Sequence, residues 1–508
     1  MSSVLPPEVV PDVFDPCRYA AGVPYDDYRV LRDRHPVARQ EEPGAPGRAA
    51  GPGFWAVTRH ADVVRVLADT VTYSSSAGGT RIGDPDPADL PFLRRLMAGQ
   101  DPPGHGRLRR SAGRALTPER VDRFARAVRE RARALCAGAL VTARDGDGTV
   151  DAVTAVTDEF ALLNLADLLG VPPGDRRWLH RVRRSAGGPG GSVPPARQAA
   201  TGRETAGGPD TAVTRETAGG RETAAARETA VRPDRAAGRE TTAWRETASR
   251  PDTAVARKTA ARPETAADRE TGTGRQAAAD RETGTGREAA AWPVEPWSVA
   301  ALEDLCAYAR QLAAYKRRYP ADDVLTTLAY DAELTGAELE MLFVLFTVAG
   351  CDTVRAAAPG GLLVLAEHPG EYGRLSEGRV PTAAAVDELL RLHPPVLTRR
   401  RTAAEDTELA GQRIRAGDKV VVFLASANRD ERVFTAPGRP DLARTPNPQV
   451  SFGGGPHACL GARFARLQLT ALYTEWARLL PAPALAGPPV RSASNAVNGV
   501  ESLPLRLL

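Results

Sequence analysis

Cys459 stands in Ser451-Phe-Gly-Gly-Gly-Pro-His-Ala-Cys-Leu-Gly461, a glycine-rich loop that runs directly into a helical pattern over Ala462 to Trp476. A thiolate is a strong, electron-releasing ligand for iron, and it binds only when deprotonated. Glycines let backbone N–H groups approach the sulfur, and the following helix turns its positive end toward it, so the loop is expected to favour the thiolate. Phe452, seven residues before the cysteine, can shield one side of a flat cofactor, and Gly461 lets the helix backbone come close. Cys459 therefore reads as the axial ligand of a haem. The alternative is a free cysteine buried in a tight turn.

Two further clusters carry chemical potential. Ala349-Gly-Cys-Asp-Thr353 lies inside an apolar helical pattern from Leu339 to about Arg355. An acid in such a helix is expensive unless it is paired or functional. Arg355 offers a structural ion pair to Asp352; alternatively Gly350 leaves room for O2, while Asp352 and Thr353 relay protons to reduced dioxygen. Pro359-Gly-Gly361 follows, and the proline is expected to kink or end the helix. The second cluster is Asp101-Pro-Pro-Gly-His105-Gly-Arg-Leu-Arg109, which puts His105 and Arg109 on one helical face. Two cationic donors there suit a pair of carboxylates, and a solvated basic face is the alternative.

Phe-x-x-Gly-x-x-x-Cys-x-Gly over 452–461, with His-x-x-x-Arg over 105–109, Ala-Gly-x-Asp-Thr over 349–353 and Glu-x-x-Arg over 388–391, resembles the cytochrome P450 monooxygenases of the soluble bacterial type. The resemblance implies a mainly α fold with small β-sheets and a haem b (iron protoporphyrin IX, thiolate-ligated) on Cys459. It implies propionates held by His105, Arg109, Arg401 and His457, with Ala349, Phe452 and Gly461 against the cofactor. Asp352, Thr353 and Gly350 would then serve oxygen activation on the opposite face. Arg401 is favoured within Arg399-Arg-Arg401 by its spacing to Asp406, and Arg439 of Pro437-Gly-Arg-Pro440 is expected to complete a buried ion pair with Glu388 and Arg391.

The implied reaction is hydroxylation of an unactivated C–H bond of a hydrophobic small molecule with O2 and two electrons. No nicotinamide or flavin motif is visible, so the resemblance implies a ferredoxin and ferredoxin reductase as partners, docking at Arg107, Arg110, Arg463 and Arg466. Phe54-Trp-Ala-Val-Thr-Arg-His60, Ser75-Ser-Ala-Gly-Gly-Thr-Arg81 and Ala425-Ser-Ala-Asn-Arg-Asp430 look most like members acting on steroid side chains or extended lipids, with terpenoids or secondary-metabolite intermediates as the near alternative. A haem-binding protein without turnover is the other class left open.

The elements that must position these residues are interrupted. From Arg197 to Trp292 a six-residue period recurs, commonly Arg-Glu-Thr-Ala-x-x, in sixteen units with Arg or Pro at the first position. A parallel β-helix would need a bulky aliphatic in each unit, and Val213, Val231, Trp244, Val255 and Trp292 are too few. Ordering such a segment costs roughly 1–2 kcal/mol per residue with little burial in return, so a disordered low-complexity insert is expected. A solvated loop or a scaffold for partners are the two readings of it. The expected organisation is a monooxygenase domain in two parts, 1–186 and 297–508, around an insert at 187–296. No helix to cover a substrate channel is legible between Ser185 and Pro296.

Composition agrees with a large core outside the repeat. The 508 residues are 42% hydrophobic, and a formal charge of +4 gives no argument for nucleic acid as a partner. Five cysteines without paired spacing argue for a reducing compartment. The N-terminal residues lack a basic and then apolar pattern, and the longest apolar run, Met341 to Gly350, is too short to span a bilayer. A cytoplasmic monomer without a membrane span is the expectation.

Overall fold

The structure, a computed structural model, describes residues 10–44, 49–185 and 299–508, the last three of the second stretch by backbone alone. The stretches on either side of the repeat pack as one unit. The expected insert at 187–296, its disorder and the missing covering helix fall outside the described residues.

Helices dominate. The ones that frame the site are α1 (Gly104–Ala115), α2 (Pro118–Asp145), α3 (Asp158–Leu169), α4 (Val299–Arg318), α5 (Gly336–Glu367), α6 (Thr382–Leu392) and α7 (Ala462–Leu479). Their ends follow local chemistry. Thr117 caps α2 by accepting from the Arg120 N–H, with Pro118 in the first turn, and Gly170 closes α3 at φ 73°, a left-handed conformation that suits glycine. On α4, Leu302, Leu305, Cys306, Ala309 and Leu312 form a buried stripe. In the helix His60–Ala68, Val63, Val66 and Leu67 are buried and Val64 is exposed.

The central helix α5 runs 32 residues, about 48 Å at 1.5 Å per residue. Thr335 and Glu338 form a reciprocal capping box at its start. It was expected to kink or stop at Pro359, and instead it continues to Glu367. Two contacts brace the helix there. The Tyr473 hydroxyl of α7 donates to the Ala357 and Ala358 carbonyls at 3.2 and 3.1 Å, beside the point where proline has no N–H to give. Gly360 and Gly361 admit His393 and Tyr473 so closely that a Cβ at either would strike those side chains. The apolar stretch is therefore longer than the ten-residue run suggests: among the described residues α5 alone is long and apolar enough to cross a membrane. Its most apolar window is 78% buried inside the protein, so that surface is already covered by neighbouring helices.

One five-stranded sheet stands beside the helices, in the order β1 (Val37–Gln40), β2 (Phe54–Val57), β5 (Lys419–Phe423), β4 (Thr398–Ala403), β3 (Tyr73–Ser74). β2 and β5 are parallel and the other pairs antiparallel, with Arg401 opposite Val420. Val420 and Val422 pack on one face and Val421 and Phe423 on the other, which explains why β5 reads as a continuous apolar run. Gln412–Ile414 and Lys419–Phe423 do not pair with each other as a hairpin. Gln412–Ile414 pairs instead with Thr407–Leu409 through a turn at Ala410-Gly411, both at positive φ, and the Gly417 turn then sends the chain into the main sheet.

Candidate functional site

The loop before α7 is held by its own backbone. The Cys459 N–H donates to the Phe452 carbonyl at 2.8 Å, and Gly453 and Gly455 sit at φ 69° and 61°, where a side chain would be strained. A Cβ on Gly455 would also strike the backbone of Leu67 and Ala68. Arg466, one turn into α7, lies over the Phe452 ring at 4.3 Å and pairs with Asp387 of α6 at 2.9 Å. Phe452 is thus braced on one side by a cation.

Cys459 is the one exposed cysteine of the five, yet burial is the largest influence on its thiol. The thiol is therefore accessible while protein atoms crowd around it. Burial raises the thiol pKa, and the Gly461 N–H with Arg399, Arg109 and Arg466 offset this only in part. The loop does not by itself secure the thiolate, as its glycines and helix end had suggested; a bound metal ion would supply the rest of the driving force.

Beneath the loop lies a closed polar network. Arg391 grips Glu388 with two parallel hydrogen bonds of 2.7 and 2.8 Å, both side chains fully buried. Arg391 also donates to the Asn428 and Pro437 carbonyls, each at 2.8 Å. Asn428 in turn accepts from the Val450 N–H and donates to Ser451, whose hydroxyl reaches the Leu390 carbonyl, all at 2.8 Å. Asn428 and Ser451 were missed as functional; each stands in a quoted motif, and nothing in their type marks them as the tie between α6 and the cysteine loop. The third member of the Glu388 pair is Arg444, not Arg439. Arg444 reaches both Glu388 oxygens at 3.1 Å, whereas Arg439 contributes a backbone carbonyl to the Arg444 guanidinium. The turn of the segment carries Arg444 inward, and the Asp441 N–H and Asn447 amide complete the shell around Glu388.

Beside Cys459 the structure gathers the expected cations. His105 of α1 and His457 of the loop pack with ring centroids 3.9 Å apart and planes tilted by 32°, and Ser75 lies 3.3 Å from His457 Nε2. Burial lowers the His105 pKa, helped by Arg109 and Arg401; burial also brings His457 down to about 3, with Arg401 and His105 adding to it. Arg401 on β4 is buried, is pushed down to about 10 by burial and by Arg399, and has its Nε without a partner. The neighbouring acid is Asp101. Burial would raise its pKa, but bonds from Ser74, Ser75 and Ser76 bring it down, so its oxygens are already engaged. A cluster of buried donors short of anions fits the two propionates of a haem, and a thiol alongside fits its iron.

On α5 the Thr353 hydroxyl donates to the Ala349 carbonyl at 2.8 Å, and Ala349 is exposed although most of its helix is buried. Asp352 is buried. It does not pair with Arg355, which bonds instead to Asp158 and Glu501 at 2.6 and 2.8 Å. The space at Gly350 is taken by packing: a Cβ there would meet Leu165 of α3 at 2.8 Å, so Ala349 is the small residue that opens inward. Of the four arginines expected on a docking face, Arg107 pairs with Glu338, Arg463 with Asp122 and Arg466 with Asp387, while Arg110 is exposed.

A model of the cytochrome P450 family matches residues 381–476, which hold α6, the Glu388 network, the cysteine loop and most of α7. Cytochrome P450 126 of Mycobacterium tuberculosis is 30% identical over 507 residues, covering 98% of this chain and 97% of that protein. The steroid C26-monooxygenase of the same organism is 29% identical over 500 residues, covering 96% and 91%. A solved structure of a Mycobacterium marinum cytochrome P450 in complex with pseudoionone superposes with a TM-score of 0.68 at 29% identity, covering 99% of this chain and all of the other.

Proposed function

The chain belongs to the cytochrome P450 family and is a monooxygenase with thiolate-ligated haem b as its cofactor, and from that premise we propose that it hydroxylates an unactivated C–H bond of a steroid side chain or related lipid. When bound, the haem supplies the redox chemistry that activates O2. The observation that carries the residue assignment is the Cys459 thiol beside a cluster of arginine and histidine donors short of carboxylates.

In this reading Cys459 ligates the iron, with the Gly461 N–H directed at its sulfur and Phe452 shielding the loop side. His105, Arg109, Arg401 and His457 hold the propionates. Thr353 holds a hydroxyl proton on the Ala349 carbonyl and can release it toward the pocket, while buried Asp352 next to it passes protons inward. Gly350 lets α3 close on α5 and so fixes where Ala349 stands. Glu388, Arg391 and Arg444 position the loop without touching reactants.

Electrons come from a ferredoxin and its reductase in a cytoplasmic setting, and Arg110 is the docking cation left exposed and outside every ion pair among the described residues. A terpenoid-type ketone is the second reading for the substrate, favoured by the pseudoionone held by the M. marinum relative. Product formation from steroid, fatty-acid and terpenoid panels, with a surrogate ferredoxin system, tests the activity. Oxygen-dependent hydroxylation of one class is expected. Failure of every class to give product with haem fully loaded would leave a haem binder without turnover.

A further inference from the structure

The donors near Cys459 are not limited to the four residues assigned to the propionates. Side chains alternate along β4. Arg400 turns to one face, where it donates to the Ile82 carbonyl and to Asp84 at 3.4 and 2.6 Å, and Asp84 continues to Lys419 at 2.7 Å. Arg399 and Arg401 share the other face, about 7 Å apart. Arg401 is committed to the His105–His457 cluster. Arg399 makes a single long hydrogen bond, to the adjacent Thr398 carbonyl at 3.4 Å, and among the described residues no carboxylate lies within 4 Å of it.

Arg81 is brought to the same place by the backbone. The Arg400 N–H donates to the Thr80 carbonyl at 3.2 Å, and Ile82 and Asp84 are then pinned by the Arg400 side chain, so residues 80–84 lie along β4 with Arg81 between two anchors. Burial and Arg399 lower the Arg81 pKa to about 10. Burial also lowers that of Arg399, and the Cys459 thiol works against this, so Arg399 lies within electrostatic reach of both Arg81 and the sulfur. Arg399 is half-buried and meets no carboxylate among the described residues, and an arriving anion would offset the cost of that partly desolvated charge.

Resting on the haem-thiolate reading above, we infer that Arg399, with Arg81 beside it, is the subsite for a carboxylate carried by the substrate, so that the pocket takes an amphipathic acid rather than a wholly apolar lipid. Arg399 can grip the carboxylate with two parallel hydrogen bonds, which fixes the far end of the molecule and thereby selects the C–H bond presented to the cofactor. The Asp84 latch to Arg400 and Lys419 holds Arg81 in register with it.

The test uses the full-length holoprotein and the change in haem spin state on titration. Three matched pairs serve as probes: dodecanoic acid and methyl dodecanoate, 3-oxochol-4-en-24-oic acid and its methyl ester, and geranic acid and methyl geranate. In at least one pair the acid should bind about tenfold tighter than the ester or more. Arg399→Gln should abolish that preference with ester binding unchanged, Arg399→Lys should keep part of it, and Arg81→Gln should weaken it by a smaller factor. Equal binding of acid and ester in all three pairs would overturn the inference. So would an Arg399→Gln protein that loses haem, or that weakens acid and ester alike, because Arg399 would then serve the propionates. The reduced carbon monoxide spectrum of the same samples separates the two levels: loss of the thiolate band defeats the haem-thiolate reading, whereas a normal band without acid preference defeats only the carboxylate subsite.

Discussion

The Glu388 network and the cation cluster beside Cys459 are both buried, both charged and both joined to the cysteine loop, yet they follow opposite rules. Glu388 receives Arg391, Arg444, a backbone N–H and an amide, and the Arg391 guanidinium finds carbonyls for its remaining donors. In the cluster, Arg401 keeps an unpartnered Nε, and His105 and His457 are driven toward neutrality by burial and by the surrounding guanidiniums. A network satisfied from within holds shape; one left short of anions is shaped for something that arrives later.

Breaking the satisfied network should have the largest effect. Glu388→Ala leaves two guanidiniums in the core without their anion, a loss of about 3–5 kcal/mol, measurable by urea unfolding. Arg444→Ala should cost about 2 kcal/mol, a buried charge-assisted bond lost, and Arg439→Ala should stay within about 0.5 kcal/mol of wild type. Equal effects at 439 and 444 would contradict the assignment of the third partner.

The cluster should respond in the reverse sense. Arg401→Gln removes a buried charge that forms no ion pair among the described residues, so the unfolding midpoint of haem-free protein should hold or rise. Retention of haem against an apoprotein scavenger should fall by about tenfold, the worth of one charge-assisted contact. A variant that loses stability and keeps haem would place Arg401 with the structural residues.

Smaller, but able to sharpen the contrast, is a pH effect. His393 packs against Gly360 with both ring nitrogens unpartnered, and burial, then Arg491, holds its pKa at about 3. That lies below the value of about 6.5 for an unfolded chain. The unfolded state therefore takes up the proton first, and the stability contributed is complete above about pH 6.5 and declines as pH falls toward 3. His457, also at about 3, should add a similar slope in haem-free protein. His393→Gln should reduce the slope with or without haem, whereas His457→Gln should reduce it only in haem-free protein; unfolding curves from pH 7 to 4 read both.

Much of this was legible in the chain. Cys459, Phe452 and Gly461 lie within ten consecutive residues, and His105 with Arg109 within one turn, so local spacing reports them directly. Arg401, Arg399 and Arg81 illustrate what spacing can and cannot say. Alternation along a strand puts Arg399 and Arg401 on one face, but only the Thr80–Arg400 backbone bond shows that a loop three hundred residues earlier delivers Arg81 beside them. Arg444 was obscured because Arg439 sits nearer a recognisable Pro-x-Arg pattern, and the choice between them depends on how the segment turns. Pro359 misled for a related reason: a helix-breaking residue was weighed without Tyr473, which approaches from a helix more than a hundred residues away and binds the carbonyls beside it. Side-chain type and spacing predict local geometry; partners from distant segments decide what that geometry is for.

The absorption spectrum of the reduced, carbon-monoxide-bound protein tests the central assignment most directly. Wild-type protein is expected to show the long-wavelength Soret band of a thiolate-ligated haem, Cys459→Ser to lose it, and Cys351→Ala, which alters a fully buried cysteine on α5, to keep it. A wild-type protein without that band, or a Cys459→Ser protein that retains it, would contradict the account.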